Sequence, residues 1–492
     1  MSARVVRGRT DSVVVVGAGL AGLSAALHLR GAGHEVTVVE RLPHPGGLAG
    51  RLDVAGHRID TGPTVLTMPE LVDEALAAVG DRLADRLELL PLHPAYRACF
   101  ADGSALDVHT SAEQMEEAVR EFAGGREAAG YRELRAWLTR LYEVERERFI
   151  GANFDSPLDL LGLDLAALVR LGGFGSLDRA VGRFLRDPRL RRVFTFQALY
   201  AGVAPRGALA AYAVIAYMDT VAGVWFPRGG MRAVPQAMAD AAADAGVRFA
   251  HGCEATSLEV RGDRVRAVVT DRERFACDAV VLAGGPAQTT RLLHRRPRRP
   301  VPLRWSPSAV VVHLSGPRVD GYAHHTISFG DAWDRTFDEI IDRGELMTDP
   351  SLLLTTPTAT DPGLAPADRH LHYLLAPCPN LDAGPLDWDR LGEGYADRLV
   401  GELVHRKLIA SADDVTRLSL TTPDDWARAG QAAGTPFSAA HTFAQTGPFR
   451  PRNLPFRDGN VVLAGSGTTP GVGIPPVLIS GRLAAARLHR RP

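Results

Sequence analysis

The sequence has few of the residues that mark metal-dependent and thiol-dependent proteins. Its 492 residues include only four cysteines, which are Cys99, Cys253, Cys277 and Cys378. No two of these have the spacing of a metal-ligand pair or of a redox-active Cys-x-x-Cys pair. There is also no Ser-His-Asp order and no histidine-rich ligand set. We therefore predict no metal site, and we expect the cysteines to be isolated structural thiols.

Long apolar runs and an excess of positive charge are also absent. No run of 18 or more residues is continuously apolar, so no segment is predicted to span a bilayer. The formal net charge is −1, which provides no basic field for nucleic acid. The first residues, with Arg4, Arg7 and Arg9 before a polar Thr10-Asp11, lack the apolar core of a signal peptide. We therefore expect a cytoplasmic protein without nucleic-acid partners.

A glycine-rich turn near the start of the chain carries the strongest functional pattern. Four valines at 13–16 predict a buried parallel strand, and Gly17-x-Gly19-x-x-Gly22 follows them. In such a turn the first glycine permits tight bending, the second lets a pyrophosphate approach, and the third lets the helix pack closely. The next strand ends at Glu40, which lies 18 residues after Gly22, where a ribose-binding acid is expected. The pattern predicts a dinucleotide site that disfavours NADP.

A glycine pair after the acidic residue favours FAD over NAD. Gly46-Gly47 followed by Arg51 resembles the extended FAD signature of the glutathione-reductase-like flavoproteins. Three residues separate Arg51 from the glycines, whereas arginine commonly follows them directly. A later strand ends in a turn at Gly62-Pro63, which would return the chain towards the flavin.

The C-terminal part contains a second glycine-rich loop between a strand and a helix. An apolar stretch at 460–464 leads into alternating glycines from Gly465 to Gly473, and a helix is predicted to begin at the prolines that follow. The positive end of that helix would stabilise the anionic N1 and O2 region of a reduced flavin.

Three blocks together resemble the bacterial phytoene desaturases, or carotenoid dehydrogenases, of the FAD-dependent amine-oxidase superfamily. The blocks are 13–64, Val224-Trp225-Phe226-Pro227-Arg228-Gly229-Gly230-Met231, and 465–475, and the resemblance extends over nearly the whole chain. Two positions depart from the family pattern. Thr469 stands where histidine is usual before Pro-Gly, and Pro476 stands where glycine is usual.

The resemblance implies an α/β fold. A glutathione-reductase-like FAD-binding Rossmann domain is expected to be interleaved with an α+β substrate domain that has a helical part. We predict the FAD-binding domain from residues 11–68, 227–299 and 446–492. We predict the substrate domain from residues 69–226 and 300–445.

The resemblance also assigns residues to the cofactor. The three glycines of the first turn would cradle the pyrophosphate, and Glu40 would hold the adenosine ribose. Gly46, Gly47 and Arg51 would lie near the pyrophosphate and flavin, and the backbone at Ala255 would contact adenine. The C-terminal loop would lie against the ribityl chain and isoalloxazine. The residues so assigned are Gly17, Gly19, Gly22, Glu40, Gly46, Gly47, Arg51, Gly62, Ala255, Gly465, Ser466, Gly467, Gly473 and Ile474.

The implied reaction is desaturation of a long polyene precursor, most directly phytoene towards lycopene. An allylic C–H gives a hydride to flavin N5, and the adjacent carbon loses a proton. Asp219, in the apolar stretch 207–226, is a candidate proton acceptor, although we favour a helix-end or salt-bridge role for it. We interpret His324-His325 as an exposed loop pair, with a base or ligand as the alternative. No second Gly-x-Gly-x-x-Gly follows a strand, so we expect oxygen or a quinone to take the electrons.

The leucine-rich stretch 157–175 is either a core helix or an interfacial element. A water-insoluble substrate favours the second interpretation, and we expect peripheral contact with the cytoplasmic face of a membrane. Other functions remain open on the same fold: another carotenoid desaturase, a ketolase or isomerase, an amine oxidase, or a non-catalytic escort of lipidated partners. The intact C-terminal loop favours a redox enzyme over an escort.

Overall fold

The computed structural model describes residues 4–293 and 302–488 of the chain. Its strands are β1 Ser12–Val16, β2 Glu35–Glu40, β3 Arg51–Val54, β4 His57–Asp60, β5 Leu89–Pro91, β6 Tyr96–Phe100, β7 Ala105–Val108, β8 Trp225–Pro227, β9 Arg248–His251, β10 Ala255–Arg261, β11 Arg264–Thr270, β12 Arg274–Ala276, β13 Ala279–Leu282, β14 Ser308–Pro317, β15 His325–Phe329, β16 Leu352–Thr355, β17 Arg369–Cys378, β18 Thr416–Thr421 and β19 Val461–Leu463. Its α-helices are α1 Leu20–Gly31, α2 Glu70–Ala77, α3 Leu83–Arg86, α4 Ala112–Ala123, α5 Gly125–Glu145, α6 Leu163–Arg170, α7 Leu177–Val181, α8 Pro188–Val193, α9 Ala213–Tyr217, α10 Ala233–Asp244, α11 Gly285–Leu292, α12 Trp333–Phe337, α13 Trp388–His405, α14 Pro423–Arg428 and α15 Ile474–Ala486.

Short 3-10 and π turns connect several of these elements. The π turns are Arg146–Ile150, Met218–Ala222 and Asp338–Arg343. The 3-10 turns are Pro157–Leu160, Phe196–Leu199, Ala210–Tyr212, Pro357–Ala359, Pro362–Leu364, Ala432–Gly434, Phe443–Gln445 and Gly447–Phe449.

A five-stranded parallel sheet surrounds the first strand of the chain. Its order is β19-β13-β1-β2-β9. The four valines of β1 are buried because both faces of the sheet are covered. Val13 and Val15 share a core with α1, α10 and α15, whereas Val14 and Val16 pack towards β10 and β11. The strands come from the three stretches predicted to form the FAD-binding domain, and the exact boundaries remain a prediction.

The second large sheet has seven strands. Its order is β18-β14-β17-β16-β15-β6-β7, with β15 and β6 parallel and the other neighbours antiparallel. One face packs on α13 in a separate apolar core. The alternating pattern at 95–109, with Asp102-Gly103 as its turn, predicts a hairpin. It is confirmed as β6 and β7, and Gly103 has a φ of +82°.

The helices between residues 69 and 150 follow the sequence pattern only in part. Apolar residues at helical spacing predict a helix within 69–90. The structure divides it, because α2 ends at Ala77 and Gly80 takes a left-handed φ of +80° before α3. The sequence at 111–150 predicts helix with its charged residues on the outside. The helix is confirmed as α4, α5 and a π turn. The expectation that its charges lie outside is wrong for Glu127 and Glu145, which are buried.

No helix within the described ranges combines the length and the apolar character needed to cross a bilayer.

Candidate active site

The turn between β1 and α1 has three glycines with different structural needs. Gly17 has a φ of +108°, in the region that favours glycine. A Cβ on Gly22 would lie 1.9 Å from the carbonyl oxygen of Gly17, so only glycine lets α1 pack this closely. Gly19 has an ordinary φ of −76°, and the nearest atom to its Cβ would be the Gly47 Cα at 3.8 Å. Neither conformation nor packing requires glycine at 19, so its missing side chain leaves room for a bound group.

Glu40 holds this turn through its carboxylate. The side chain is buried, and its Oε2 accepts a hydrogen bond from the Ala18 N–H at 2.7 Å. Its Oε1 accepts from the Leu42 N–H at 2.9 Å. Sequence reasoning did not include this backbone role. Each oxygen retains a second lone pair, so the predicted ribose contact is compatible with these bonds and stays a prediction.

The glycine pair after β2 packs directly on the turn. The Gly46 N–H donates to the Ala18 carbonyl oxygen at 3.0 Å. Gly47 has a φ of +58°, and a Cβ there would lie 3.1 Å from the Gly19 Cα. Gly62 lets the returning chain pass close to Leu48, since a Cβ added at position 62 would lie 1.9 Å from the Leu48 carbonyl oxygen. The chain therefore returns to the segment that follows the glycine pair, and its return towards the flavin stays a prediction.

The C-terminal loop is held by Arg450, which sequence reasoning missed. This arginine is buried, and its Nε donates to the Thr468 carbonyl at 3.1 Å. Its Nη2 donates to the carbonyls of Ser466 at 2.7 Å and Ala439 at 3.2 Å. No local pattern around Arg450 signals this, because its partners are backbone carbonyls from other segments.

The helix that follows the loop begins as predicted, at Ile474 after Gly473. Pro475 and Pro476 occupy its first turn and have no N–H. The helix therefore offers fewer donors than an ordinary N-terminus, with the Ile474 N–H in the first position.

A cavity of about 1430 Å³ joins these loops to the second sheet and the helical region. The predicted site residues that line it are Gly17, Gly19, Glu40, Gly46, Gly47, Gly62, Asp219, Ala255, Gly465, Ser466, Gly473 and Ile474. The structure thus brings together residues that lie up to 457 positions apart (17 to 474) in the sequence.

Three predicted site residues do not line this cavity. Gly22 allows close helix packing, as described above. A Cβ on Gly467 would lie 2.7 Å from the Pro286 Cγ, so this glycine also serves packing. Arg51 lies on β3, and its Nη2 donates to Asp53 Oδ2 at 3.0 Å. The proposed contact of Arg51 with the cofactor stays a prediction.

Asp219 faces the apolar part of the cavity, near Tyr200. Burial raises its pKa to about 7, while the Gln197 side chain acts to lower it. The role favoured above is a helix end or a salt bridge. Asp219 does lie just after the end of α9, in the Met218–Ala222 turn, whereas no cation pairs with it among the described residues. A carboxyl group in this environment exchanges a proton near neutral pH.

The histidines at 324 and 325 are buried, so the interpretation as an exposed loop pair is wrong. His325 begins β15 and lines the cavity, and its Nδ1 lies 3.1 Å from Thr355 Oγ1. Burial, with a smaller effect of His324, lowers the pKa of His325 to about 3. His324 Nδ1 lies 2.8 Å from Thr360 Oγ1, and burial lowers its pKa to about 4. Both imidazoles are neutral at physiological pH.

The stretch 157–175 belongs partly to the cavity and partly to the outer surface. Leu160, Leu165 and Leu168 line the cavity, and Leu168 is buried. Other apolar side chains are exposed around this end of the cavity, and we call them the apolar rim. They are Leu158, Leu161, Leu163, Val169, Phe174, Phe443 and Phe449. The Gly447–Phe449 turn contacts the Pro157–Leu160 turn, which joins the two sides of the rim.

The part of the chain that the structure describes has no group of three or more His, Cys, Asp or Glu residues arranged to hold a metal ion. The open space at Gly19, the loops around it and the adjoining apolar cavity instead fit an organic dinucleotide.

Comparisons with known proteins agree with this site. The model of the family described as "Flavin containing amine oxidoreductase" matches residues 20–489. A phytoene dehydrogenase of Streptomyces griseus is 64% identical over 486 residues, which cover 98% of this chain and 96% of the relative. A zeta-carotene-forming phytoene desaturase of Myxococcus xanthus is 34% identical, covering 97% and 93%.

A solved structure shows the same fold. An oxidoreductase of Methanosarcina mazei superposes with a TM-score of 0.64 at 16% identity, covering 96% of this chain and 99% of the other. The family match shows a flavin cofactor and an oxidoreductase. The chain belongs to the flavin containing amine oxidoreductases and, within them, to the phytoene desaturases.

Proposed function

We propose that this protein is an FAD-dependent desaturase that oxidises phytoene towards lycopene. The observation that carries the proposal is the continuous cavity, in which dinucleotide-binding loops open into an apolar chamber. A long hydrocarbon needs such a chamber, because burying its surface supplies the binding free energy and alignment supplies part of the catalysis. The names of the two relatives support this substrate class.

We place FAD along the glycine loops. Gly19 would leave room for the pyrophosphate, and Glu40 would keep the turn in shape and face the ribose. Ala255 would lie near adenine. Gly465 and Ser466, held by Arg450, would lie against the flavin. When bound, FAD supplies the acceptor of a hydride at N5.

We assign the role of proton acceptor to Asp219. Its carboxyl lies in the same cavity and has no competing cation among the described residues. A pKa of about 7 matches the requirement that a general base be available near neutral pH. The neutral His325 and the aromatic and aliphatic walls around it exclude water from the reacting carbons.

The apolar rim is where we propose that a membrane surface meets the protein. Phytoene would enter through this end without crossing bulk water, and the protein would associate peripherally with the cytoplasmic face. The rim supports this because Leu163 is 90% exposed and Leu161 is 66% exposed beside the cavity. After reduction, the electrons would pass to oxygen or a quinone.

Product analysis in phytoene-accumulating cells that express the protein tests the function. We expect desaturated carotenoids, and we expect purified apoprotein to bind FAD and to bleach when phytoene liposomes are added without oxygen. Unchanged phytoene together with a flavin that stays oxidised in the liposomes would contradict the proposal. The length of the conjugated product gives the number of desaturation steps.

A further inference from the structure

Glu145 is a buried acid that has no role in the desaturation of a hydrocarbon described above. It ends α5 and lines the cavity, and its side chain is 4% exposed. Its Oε1 has no hydrogen-bond partner, and no ion pair reaches it among the described residues. Burying an unpaired carboxyl is unfavourable even when it is neutral. A carboxyl group that is buried without a partner indicates a ligand that forms a hydrogen bond with it.

Tyr212, whose pKa the Glu145 carboxyl helps to raise, belongs to a hydrogen-bonded chain with Thr446 and His441. Thr446 Oγ1 donates to the Thr442 carbonyl at 2.8 Å. A hydroxyl has one proton, so at its 2.5 Å contact with Tyr212, Thr446 accepts the phenol proton. The Tyr212 oxygen must then accept from His441 Nδ1–H at 2.9 Å. Each of these protons has an acceptor other than Glu145, and His441 Nε2 has no hydrogen-bond partner among the described residues.

Glu145 lies near Tyr212 in the cavity. Tyr212 lines the cavity, and its pKa is raised by burial and also by the Glu145 carboxyl. His441 packs on the loop, since a Cβ on Gly471 would lie 2.1 Å from its Cε1. A ligand bound by Glu145 would therefore lie close to Tyr212 in the cavity.

We propose that Glu145 donates a hydrogen bond to the carbonyl oxygen of a quinone bound in this cavity. Burial raises the pKa of Glu145 well above its usual value, so the group is a carboxylic acid and a donor at neutral pH. A quinone with an isoprenoid tail has an apolar body for the walls and a carbonyl for the acid, whereas phytoene has no acceptor atom. A cationic ligand would need the ionised carboxylate, which burial disfavours.

The inference rests on the proposed function, which requires an electron acceptor. Because the cavity that contains the cofactor loops also contains Glu145, the quinone and the polyene would occupy it in turn. Binding of one is then expected to exclude the other.

The test measures binding of decylubiquinone to the oxidised, FAD-loaded protein by calorimetry. Glu145→Leu removes the donor while keeping the volume, and we expect the Kd to rise by about fivefold to tenfold, as for the loss of one hydrogen bond. Glu145→Gln retains an N–H donor, and its Kd should stay within about threefold. Glu143→Gln is the matched control, because Glu143 lies on the same helix and is exposed. Phytoene in detergent should compete with the quinone.

A Glu145→Leu protein that binds decylubiquinone as tightly as the wild type overturns the proposal, as does the absence of competition by phytoene. If that variant does not fold, Glu145→Met is measured in its place. Phytoene affinity should not fall in either apolar variant, since a hydrocarbon gains nothing from the acid. A different result would contradict the proposed function: the wild-type protein would then not oxidise phytoene, whether or not it binds quinone.

Discussion

The two ends of the cavity are built in different ways. At the dinucleotide end, backbone atoms shape the site, and Gly17, Gly19 and Glu40 come from one short stretch of chain. At the apolar end, side chains shape it, and they come from segments scattered between residues 145 and 449. The first end depends on the absence of side chains, whereas the second depends on which side chains face inward. Mutations should therefore have different consequences at the two ends.

The largest effects are expected at the glycine turn, where two substitutions separate packing from binding. Gly22→Val should prevent stable folding, because even its Cβ would lie 1.9 Å from the Gly17 carbonyl oxygen. Gly19→Val should fold, because the atom nearest to the added Cβ would be the Gly47 Cα at 3.8 Å, yet it should lose nearly all bound flavin. Circular dichroism and flavin content after dialysis measure the two effects. A folded Gly19→Val protein with wild-type flavin would show that the space at 19 serves no ligand.

Asp219 should show the largest effect at the apolar end. Asp219→Asn should retain flavin but lower the rate of flavin reduction by phytoene about 100-fold, as for the loss of a general base. The wild-type rate should rise with pH through about 7, because only the ionised carboxylate accepts a proton. The rate of the variant should be flat in this range.

Stability gives an independent control for Asp219. Its pKa in the folded state lies above the ordinary value of 3.8, so the folded state binds the proton more tightly than the unfolded state. Wild-type stability should therefore decline relative to Asp219→Asn as pH rises from about 4 to 7. A pH profile of flavin reduction that is the same in both proteins would remove Asp219 from the reaction.

Glu40 should have an intermediate effect at the dinucleotide end. Glu40→Arg should weaken flavin binding by at least about tenfold, because it removes the acceptor for the Ala18 and Leu42 N–H groups and places a cation near the ribose. Fluorescence titration of the apoprotein measures this. Glu40→Gln retains one acceptor oxygen and should be milder; equal affinities for wild type and Glu40→Arg would contradict both roles.

The apolar rim should have a smaller effect, confined to membrane-supplied substrate. The double variant Leu161→Ser and Leu163→Ser should bind liposomes about tenfold less, since two leucines lose part of the roughly 1.5–3 kcal/mol available on full burial. Asp159 and Asp164 oppose anionic lipid, so the binding should depend little on salt. Flavin content should not change, because both leucines are exposed.

The matched control is the double variant Val319→Ser and Leu391→Ser, because both residues are exposed and neither lines the cavity. Equal loss in both proteins would remove the rim from membrane binding.

The smallest effect is expected for Arg51. Its guanidinium pairs with the exposed Asp53 carboxylate and does not line the cavity. An exposed ion pair contributes about 0–1 kcal/mol, so Arg51→Gln should change flavin affinity by no more than about twofold. A tenfold loss of flavin would place this arginine in contact with the cofactor after all.

The amino-acid sequence determined the dinucleotide end of the site and the α/β character of the fold. Its turn, acid and glycine pair are contiguous, and their geometry follows from local backbone rules such as the left-handed conformation of Gly17 and the strand-end position of Glu40. The helix at Ile474 and the hairpin at 96–108 could be predicted for the same reason.

Only the tertiary structure decided which side chains face the cavity at its other end. Glu145 lies on a helix rich in charge, and nothing local distinguishes it from the exposed Glu143. His324 and His325 are buried because β15 lies inside a seven-stranded sheet, and Arg450 is placed by carbonyls of distant loops. The sequence has threonine at 469, and the fold brings His441 from another segment against Gly471. Such contacts depend on long-range packing, which joins residues whose positions in the chain carry no common pattern.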